Sequence, residues 1–326
     1  MDEFLSRLRA AAEPTRLRLL ALCARGELTV SELTRILGQS QPRVSRHLKL
    51  LVEAGLLDRF PEGTWAFYRL AQDGDCAELA RKLVDMIPAD DGTLGLDRER
   101  LRSIKEARAA AAAAYFRKSA ARWDEIRKLY VDESEVERAL LELLPAEGGR
   151  DLLDVGTGTG RILEIFKDKV DHALGIDLSR EMLTVARANL ERAGLRNFQV
   201  RHGDMYKLPV ASASYDFVTI HQVLHYADDP AAAINEAARV LRPGGRLVIV
   251  DFAPHELEFL RVEHAHRRLG FSDAEVKGWF GAVGLVPAHR VTLPGDPLNV
   301  TIWAADRPSR PRPKARDTLV EPGLRQ

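Results

Sequence analysis

Apolar residues in the first 87 positions recur at the three- and four-residue spacing that predicts short amphipathic helices. One such helix carries Val30, Leu33 and Leu37 on one face, with Thr29 placed to cap its start and Gly38 to end it. A second helix begins a few residues later. Two short helices joined by so short a turn predict a helix-turn-helix.

The second predicted helix has two distinct faces. Its apolar face carries Val44, Leu48, Leu51 and Val52. Its polar face is expected to enter a major groove, and the side chains on it are Gln41, Arg43, Ser45, Arg46, His47 and Lys49. Residues 56–60 and 64–70 then predict a β-hairpin, a wing that carries Arg59.

The remainder of the chain has a different pattern. Residues 88–97 are rich in Pro, Gly and Asp and predict a break, and residues 98–144 predict a long helical run. From Asp151 to about Ala305, short apolar strands alternate with helical segments, which predicts an α/β domain with a parallel sheet. We therefore expect a helix-turn-helix domain (1–87), a linker with a helical cap (88–144), an α/β domain (145–305) and a disordered Pro/Arg-rich tail (306–326).

Length and composition narrow the class of protein. A chain of 326 residues favours two domains, and 45% hydrophobic against 29% charged residues excludes wholesale disorder. The 48 basic residues equal the 48 acidic ones, so any nucleic-acid surface is local. Cys23 and Cys76 cannot form a secreted disulfide scaffold. Because no apolar run reaches the roughly 18 residues of a membrane span, and the first residues lack a signal-peptide core, we expect a soluble cytoplasmic protein.

A glycine-rich loop follows the first strand of the predicted α/β domain. That strand ends near Asp154, and Gly156, Gly158 and Gly160 come directly before a helix. Glycines at such a turn let a ligand approach the backbone and meet the N–H groups of the helix. A dinucleotide-binding loop would have a small residue at position 161, which is Arg161 here.

Acidic residues end the next two predicted strands. Asp177 closes the second strand, where a carboxylate can accept hydrogen bonds from both hydroxyls of a ribose. Asp204 and Met205 follow the third strand, where an acid can accept from an adenine amino group and the thioether can lie on the ring. Since these strands end at one edge of the sheet, the residues predict a site for a ligand that contains adenosine.

Residues 10–71 resemble the winged helix-turn-helix of the ArsR family of bacterial repressors. The resemblance implies a homodimer that binds double-stranded DNA. An apolar stripe over residues 74–87 either forms the dimer interface or packs on the core of its own domain. Metal-sensing members carry a Cys-x-Cys pair where this chain has Thr29-Val30-Ser31, and His264 and His266 point to different faces of any helix. We therefore expect no metal, and a signal of another kind.

Residues from about 115 to 305 resemble the class I S-adenosylmethionine-dependent methyltransferase fold, a Rossmann-like domain with a mostly parallel seven-stranded sheet. The matching residues are Asp154, Gly156, Gly158, Gly160, Asp177, Asp204 and Met205, with Arg242-Pro243-Gly244-Gly245 before the fifth strand. The resemblance implies that the first seven bind S-adenosylmethionine or S-adenosylhomocysteine. The rings of Tyr115, Phe116, Trp123 and Tyr130 either close over this ligand or belong to the core.

No catalytic residue follows from the sequence, because methyl transfer mainly requires alignment of the acceptor with the S–CH₃ bond. Residues 219–222 lack the motif of adenine and glutamine-amide methylases, and no cysteine follows Cys76 to serve cytosine or arsenic methylation. The polar side chains expected near a substrate are His221, His225, Tyr226, Asp251 and His255.

Two functions stay open at this point. In the first, a DNA-binding repressor senses S-adenosylhomocysteine or S-adenosylmethionine through its methyltransferase-like domain, and resemblance to regulators of this composition implies control of methionine-cycle genes. In the second, the domain is an active small-molecule methyltransferase that the winged helix regulates. The intact DNA-facing helix and the lack of a substrate motif favour the first.

Overall fold

The computed structural model describes residues 1–309 except residues 63, 72–73, 89, 120–132, 145–150 and 196. Helices and short strands build the N-terminal part. In chain order they are α1 (Asp2–Ala11), α2 (Pro14–Cys23), β1 (Leu28–Thr29), α3 (Val30–Leu37), α4 (Gln41–Glu53), β2 (Leu57–Glu62), β3 (Trp65–Leu70), α5 (Gly74–Asp85) and α6 (Gly92–Ser119). Strands β2 and β3 pair as an antiparallel hairpin, which we call the wing, and β1 joins its β3 side.

Local hydrogen bonds explain the start and end of α3. The Glu32 N–H donates to Thr29 Oγ1 at 3.3 Å, and the Glu32 carboxylate accepts from the Thr29 N–H at 2.9 Å, a reciprocal capping box. Gly38 ends the helix in the left-handed conformation, with φ 63°. Helix α4 begins after Ser40, whose side chain makes no capping hydrogen bond. The predicted helix-turn-helix is confirmed as α3 and α4.

Helix α6 packs on the N-terminal core. Its residues Leu101 and Ile104 are buried with the apolar side chains of α2, α3 and α4. Arg18 of α2 donates to both carboxylate oxygens of Asp97, at 2.6 and 2.7 Å, and Asp97 is 1% exposed. The helix begins at Gly92, inside the break predicted over residues 88–97. The preference of Gly and Pro for turns is a weak local one. Burial of the next helical turns outweighs this preference here.

The C-terminal part is an α/β domain. After α7 (Glu133–Glu142) its elements are β4 (Asp151–Val155), α8 (Arg161–Ile165), β5 (His172–Asp177), α9 (Arg180–Arg192), β6 (Phe198–His202), β7 (Tyr215–His221), α10 (Pro230–Val240), β8 (Leu241–Phe252), α11 (Phe259–Glu263), α12 (Asp273–Ala282), β9 (Val286–Leu293) and β10 (Val300–Asp306). A single 3₁₀ turn, Leu224–Tyr226, follows β7.

Within the described ranges, the strands of this domain form one seven-stranded sheet. Its order is β6-β5-β4-β7-β8-β10-β9, with β10 antiparallel to both neighbours and the other pairs parallel. Strand order reverses between β4 and β7, and ligands of open α/β sheets bind outside the carboxyl ends of the strands at such a point. No helix in the described part of the chain is long and apolar enough to cross a membrane.

We expect Asp97→Asn to destabilise the N-terminal part by roughly 1–3 kcal/mol, because the Arg18 guanidinium would lose its charged acceptor. The measurement is the urea midpoint followed by circular dichroism. Glu99→Gln, an exposed acid of the same helix, serves as the control. Equal midpoints for the two variants and the wild type would contradict a structural role for this ion pair.

Candidate functional site

The carboxyl edge of the sheet opens into a cavity of about 780 Å³. Six of the seven ligand residues predicted from the sequence line it, and they are Asp154, Gly156, Gly158, Asp177, Asp204 and Met205. Gly160 lies outside the lining and closes the glycine loop against α9, where an added Cβ would be 3.3 Å from Ala186 Cβ. A cavity of this size is typical of sites for ligands larger than a single ring.

The glycine loop has no room for a side chain where it meets the cavity. Gly156 has φ +74°, and a Cβ there would lie 2.3 Å from Val223 Cγ2. Thr157 beside it is buried, lines the cavity, and has a hydroxyl with no hydrogen-bond partner among the described residues. The loop therefore offers its backbone to a ligand, while the buried Thr157 side chain fills the space over Gly175.

Two carboxylates flank the loop. Asp177 accepts from the Gly158 N–H and from the Ser179 N–H, both at 2.8 Å. Burial raises the pKa of Asp177, and these backbone N–H groups partly offset the rise. Asp204 is exposed in a turn, where its Oδ1 accepts from the Tyr206 N–H at 2.9 Å. The carboxylate acceptors at this end suit the hydroxyl and amino donors of a nucleoside.

The remaining ligand residues have supporting contacts. Asp154 is 1% exposed and accepts from Thr219 Oγ1 at 2.7 Å, which holds its carboxylate against the sheet.

Backbone strain also occurs at the cavity. Gln222 and Ala265 line it with φ 54° and 58°, in the left-handed region that non-glycine residues rarely adopt. Strained residues of this kind concentrate at functional sites.

The far wall of the cavity comes from the N-terminal part of the chain. Glu32 of α3, Trp65 of the wing, and Arg108 and Phe116 of α6 all line it. The Phe116 ring meets Tyr226 edge-on at 4.8 Å. Sequence reasoning missed this wall apart from Phe116. Of the other aromatic residues proposed to close over a ligand, Trp123, Tyr130 and the side chain of Tyr115 lie outside the described part of the structure.

An interdomain ion cluster holds this wall in place. We define it as Glu27, Glu32, Arg108, Asp228, Arg267 and Arg268. Arg108 donates to Asp228 Oδ1 at 2.7 Å and also to Glu32 Oε1. Arg267 lies 3.1 Å from Asp228 Oδ1, and Arg268 donates to Glu27 Oε2 at 2.7 Å.

Burial shifts the pKa values of residues in the interdomain ion cluster. Burial raises the pKa of Glu27, and the neighbouring guanidiniums of Arg268, Arg69 and Arg267 oppose the rise. Burial lowers the pKa of Arg108 to about 10, assisted by the positive charge of Arg267. Because 10 is still well above neutral pH, Arg108 keeps its charge towards Asp228 and Glu32.

The histidines near the cavity divide into two groups. His225 Nδ1 lies 2.7 Å from Asp251 Oδ1, and both residues are buried outside the lining. His221, Tyr226 and His266 line the cavity, whereas His255 does not. Burial and the neighbouring His225 hold the pKa of His266 far below its ordinary range, and its buried Nδ1 has no hydrogen-bond partner among the described residues. The geometry assigns no catalytic base.

The predicted DNA-facing side chains lie on one face of α4 and on the wing. Those that are exposed are Gln41, Arg43, Arg46, Lys49 and Arg59. Ser45 and His47 are half-buried, and His47 Nδ1 lies 3.5 Å from Glu13 Oε2. Lys49 is 3.7 Å from Glu53, one helical turn on. The exposed face of the helix therefore carries three cations and one acid, a net positive charge that suits contact with phosphates.

Two family models match the chain. The model described as "Bacterial regulatory protein, arsR family" matches residues 13–59, and the model described as "Methyltransferase domain" matches residues 153–249. The first range contains α2, α3 and α4. The second begins in β4 and ends in β8, so it contains the glycine loop and both acidic strand ends.

Several of the curated proteins to which this chain is similar are methyltransferases by name. The uncharacterized methyltransferase YcgJ of Bacillus subtilis is 33% identical over 106 residues, which are 32% of this chain and 42% of the relative. The ubiquinone/menaquinone biosynthesis C-methyltransferase UbiE of Roseobacter denitrificans is 37% identical over 118 residues, 35% of this chain and 47% of the relative. The chain spans less than half the length of these relatives.

A solved structure shows the same fold. A chain of the complex between the Haloferax volcanii Trm112 methyltransferase activator and a methyltransferase matches 59% of this chain and 97% of its own length, with a TM-score of 0.51 and 23% identity. Together with the sheet order, these matches confirm both predicted folds. The chain joins an ArsR-family helix-turn-helix domain, matched over residues 13–59, to a class I methyltransferase domain, matched over residues 153–249.

Proposed function

We propose that the protein is a transcriptional repressor in which S-adenosylhomocysteine or S-adenosylmethionine acts as the effector of DNA binding. The observation that carries this proposal is the shared cavity, since Glu32 and Trp65 of the DNA-binding domain line the same space as Asp177 and the glycine loop. A ligand in this space contacts the two domains together. Its binding free energy therefore depends on how they are arranged.

Such a dependence is what ligand control requires. A ligand shifts an equilibrium only by its difference in affinity for the two states, and a typical coupling of about 1–3 kcal/mol changes the affinity for DNA by roughly 5- to 150-fold. If the cavity were formed by the methyltransferase domain alone, the ligand would bind both arrangements equally and shift nothing. Contacts from Glu32 and Trp65 supply the difference.

When bound, S-adenosylmethionine supplies an activated methyl group, and S-adenosylhomocysteine lacks it. The chain's own residues would hold either molecule in the same manner. Asp177 would accept from the ribose hydroxyls, Asp204 from the adenine amino group, and the glycine loop would bring its backbone against the ligand.

Helix α6 supports the proposed role of residues 88–144 as a helical cap between the domains. Its first half packs on the N-terminal core through Leu101 and Ile104, and its second half reaches the cavity through Arg108 and Phe116. We propose domain boundaries after residues 87, 144 and 305. We also propose that the repressor acts in the cytoplasm, on the DNA of methionine-cycle genes.

We further propose that the repressor binds DNA as a homodimer. Leu79, Leu83 and Val84 of α5 pack partly on the core of their own domain and stay only half-buried. A helix face of this kind is suited to a second copy.

A second candidate function is methyl transfer to a small molecule. It is favoured by the end of the cavity where Trp65, Phe116, Tyr226 and His266 line space beyond the residues assigned to the adenosyl ligand. Aromatic rings that carry a few hydrogen-bonding groups are typical of sites for small organic molecules. The methyltransferase names of the relatives support this candidate as well.

We expect Asp177→Ala to weaken adenosyl-ligand binding by about 10- to 100-fold, as a lost pair of charge-assisted hydrogen bonds would. Isothermal titration with S-adenosylhomocysteine measures it. Asp168→Ala, an exposed acid after α8, should bind normally. Unchanged affinity in the Asp177 variant contradicts the assignment, and loss of ligand-free DNA binding in the same variant would indicate misfolding instead.

Arg46→Ala is expected to cost about 1–3 kcal/mol of duplex binding if the side chain contacts a base edge. Fluorescence anisotropy with a duplex from the upstream region of the gene provides the measurement. Arg187→Ala removes an equally exposed arginine from the methyltransferase domain and should have little effect. If the two variants bind alike, α4 does not read this duplex through Arg46.

The effector proposal predicts that one adenosyl ligand changes the duplex affinity of the wild type by at least about fivefold. The same anisotropy titration is run with S-adenosylhomocysteine and, separately, with S-adenosylmethionine. Asp177→Ala should bind the duplex and lose the response. Normal binding of duplex and both ligands, with no change in duplex affinity, would refute the effector role and leave methyl transfer as the function to pursue.

A further inference from the structure

One short segment both lines the ligand cavity and holds the DNA-binding domain. Ala265, His266 and Arg267 line the cavity. Arg267 also donates to the Glu27 carbonyl oxygen at 2.7 Å, and Arg268 binds the Glu27 carboxylate. The N–H groups of both arginines donate to the His225 carbonyl oxygen, at 2.8 and 3.0 Å. A displacement of this backbone by a ligand would therefore reach Glu27, directly before β1.

The methyltransferase domain also holds the wing. Thr64, at the start of β3, donates from its N–H and its hydroxyl to Glu258 Oε1, at 2.6 and 3.2 Å. The Arg261 guanidinium lies over the Trp65 ring, 4.3 Å from its centroid, and Arg261 Nε is 3.2 Å from the Glu258 carboxylate. The methyltransferase domain thus holds the tip of the wing through residues in and before α11.

The surface that holds the wing tip carries three carboxylates and one guanidinium, that of Arg261, so its net charge is negative. Glu256 and Glu263 flank Glu258, and both are exposed. On the opposite strand of the wing, Arg59 is exposed and available to a phosphate. A duplex lying along α4 and the wing would bring its phosphates towards these three carboxylates, and like charges at short range repel. Contact with Glu258 and contact with DNA therefore oppose each other.

We infer that the wing tip has two mutually exclusive partners, the Glu258 surface of its own methyltransferase domain and the backbone of duplex DNA. The inference rests on the proposed function and specifies how the effector acts. An adenosyl ligand that spans the cavity stabilises the arrangement in which Glu32, Trp65 and segment 265–268 are together. In that arrangement the wing is held, so the ligand favours release of the duplex.

The test is Glu258→Gln, which keeps the shape of the side chain and removes its charge. With saturating S-adenosylhomocysteine, we expect this variant to bind the duplex about tenfold more tightly than the wild type, because a hydrogen bond to a charged acceptor becomes a weaker neutral one. Its affinity for S-adenosylhomocysteine in the absence of duplex should fall by no more than the same factor, because Glu258 does not line the cavity and acts on the ligand only through the held arrangement.

Two further variants separate the effect of the wing contact from the effect of removing a negative charge nearby. Glu256→Gln removes a neighbouring exposed charge and keeps the wing contact, so it should raise duplex affinity clearly less than Glu258→Gln does. Thr64→Ala removes the hydroxyl hydrogen bond and keeps the backbone one, so it should act in the same direction as Glu258→Gln with a smaller effect. Thermal midpoints equal to the wild type establish that each variant is folded.

The outcomes distinguish this inference from the function on which it rests. A wild-type duplex affinity that ignores both adenosyl ligands refutes the effector role, and the inference with it. A wild-type response that persists unchanged in Glu258→Gln refutes the inference alone, as does a ligand that tightens duplex binding. Equal gains in Glu258→Gln and Glu256→Gln would show that net charge acts here without the wing contact.

Discussion

Burial of arginine side chains between the two domains is the constraint on which the rest of the structure depends. Arg267 is 8% exposed and Arg268 is 2% exposed. A buried guanidinium that loses its carboxylate costs about 3–5 kcal/mol, so each arginine requires its acidic partner to stay in place. Those partners include Glu27 and Glu32 of the helix-turn-helix domain. The interdomain ion cluster therefore specifies where the DNA-binding domain sits on the sheet.

The ligand cavity takes its form from this placement. The sheet supplies the glycine loop and the acidic strand ends, which suffice for a nucleoside, and the helix-turn-helix domain supplies the wall that closes the space. An enzyme of this fold needs only the first part to bind its methyl donor. Under the proposed function, the second part would make occupancy of the site depend on the position of α3 and of the wing, and for this reason we propose regulation ahead of catalysis alone.

Features set by neighbouring residues could be predicted from the sequence, whereas contacts between distant segments could not. The cap at Thr29, the end of α3 at Gly38 and the glycine loop follow from local backbone chemistry, and each is present. The predicted start of the long helix, residue 98, was wrong by several residues, because tertiary packing decides that α6 begins at Gly92. The Glu27–Arg268 pair joins residues 241 positions apart, and no local pattern marks such a pair. Trp65, an exposed aromatic ring near the tip of a hairpin, was the one available signal for the second wall.

The central claim is that an adenosyl ligand contacts the DNA-binding domain as well as the methyltransferase domain. Hydrogen–deuterium exchange of the full-length protein, with and without S-adenosylhomocysteine, tests it most directly. The account predicts slower exchange in residues 27–32 and in the wing, residues 57–70, together with the glycine loop and the ends of β5 and β6. Slower exchange confined to residues 151–306, with the N-terminal segments unchanged under saturating ligand, would contradict it.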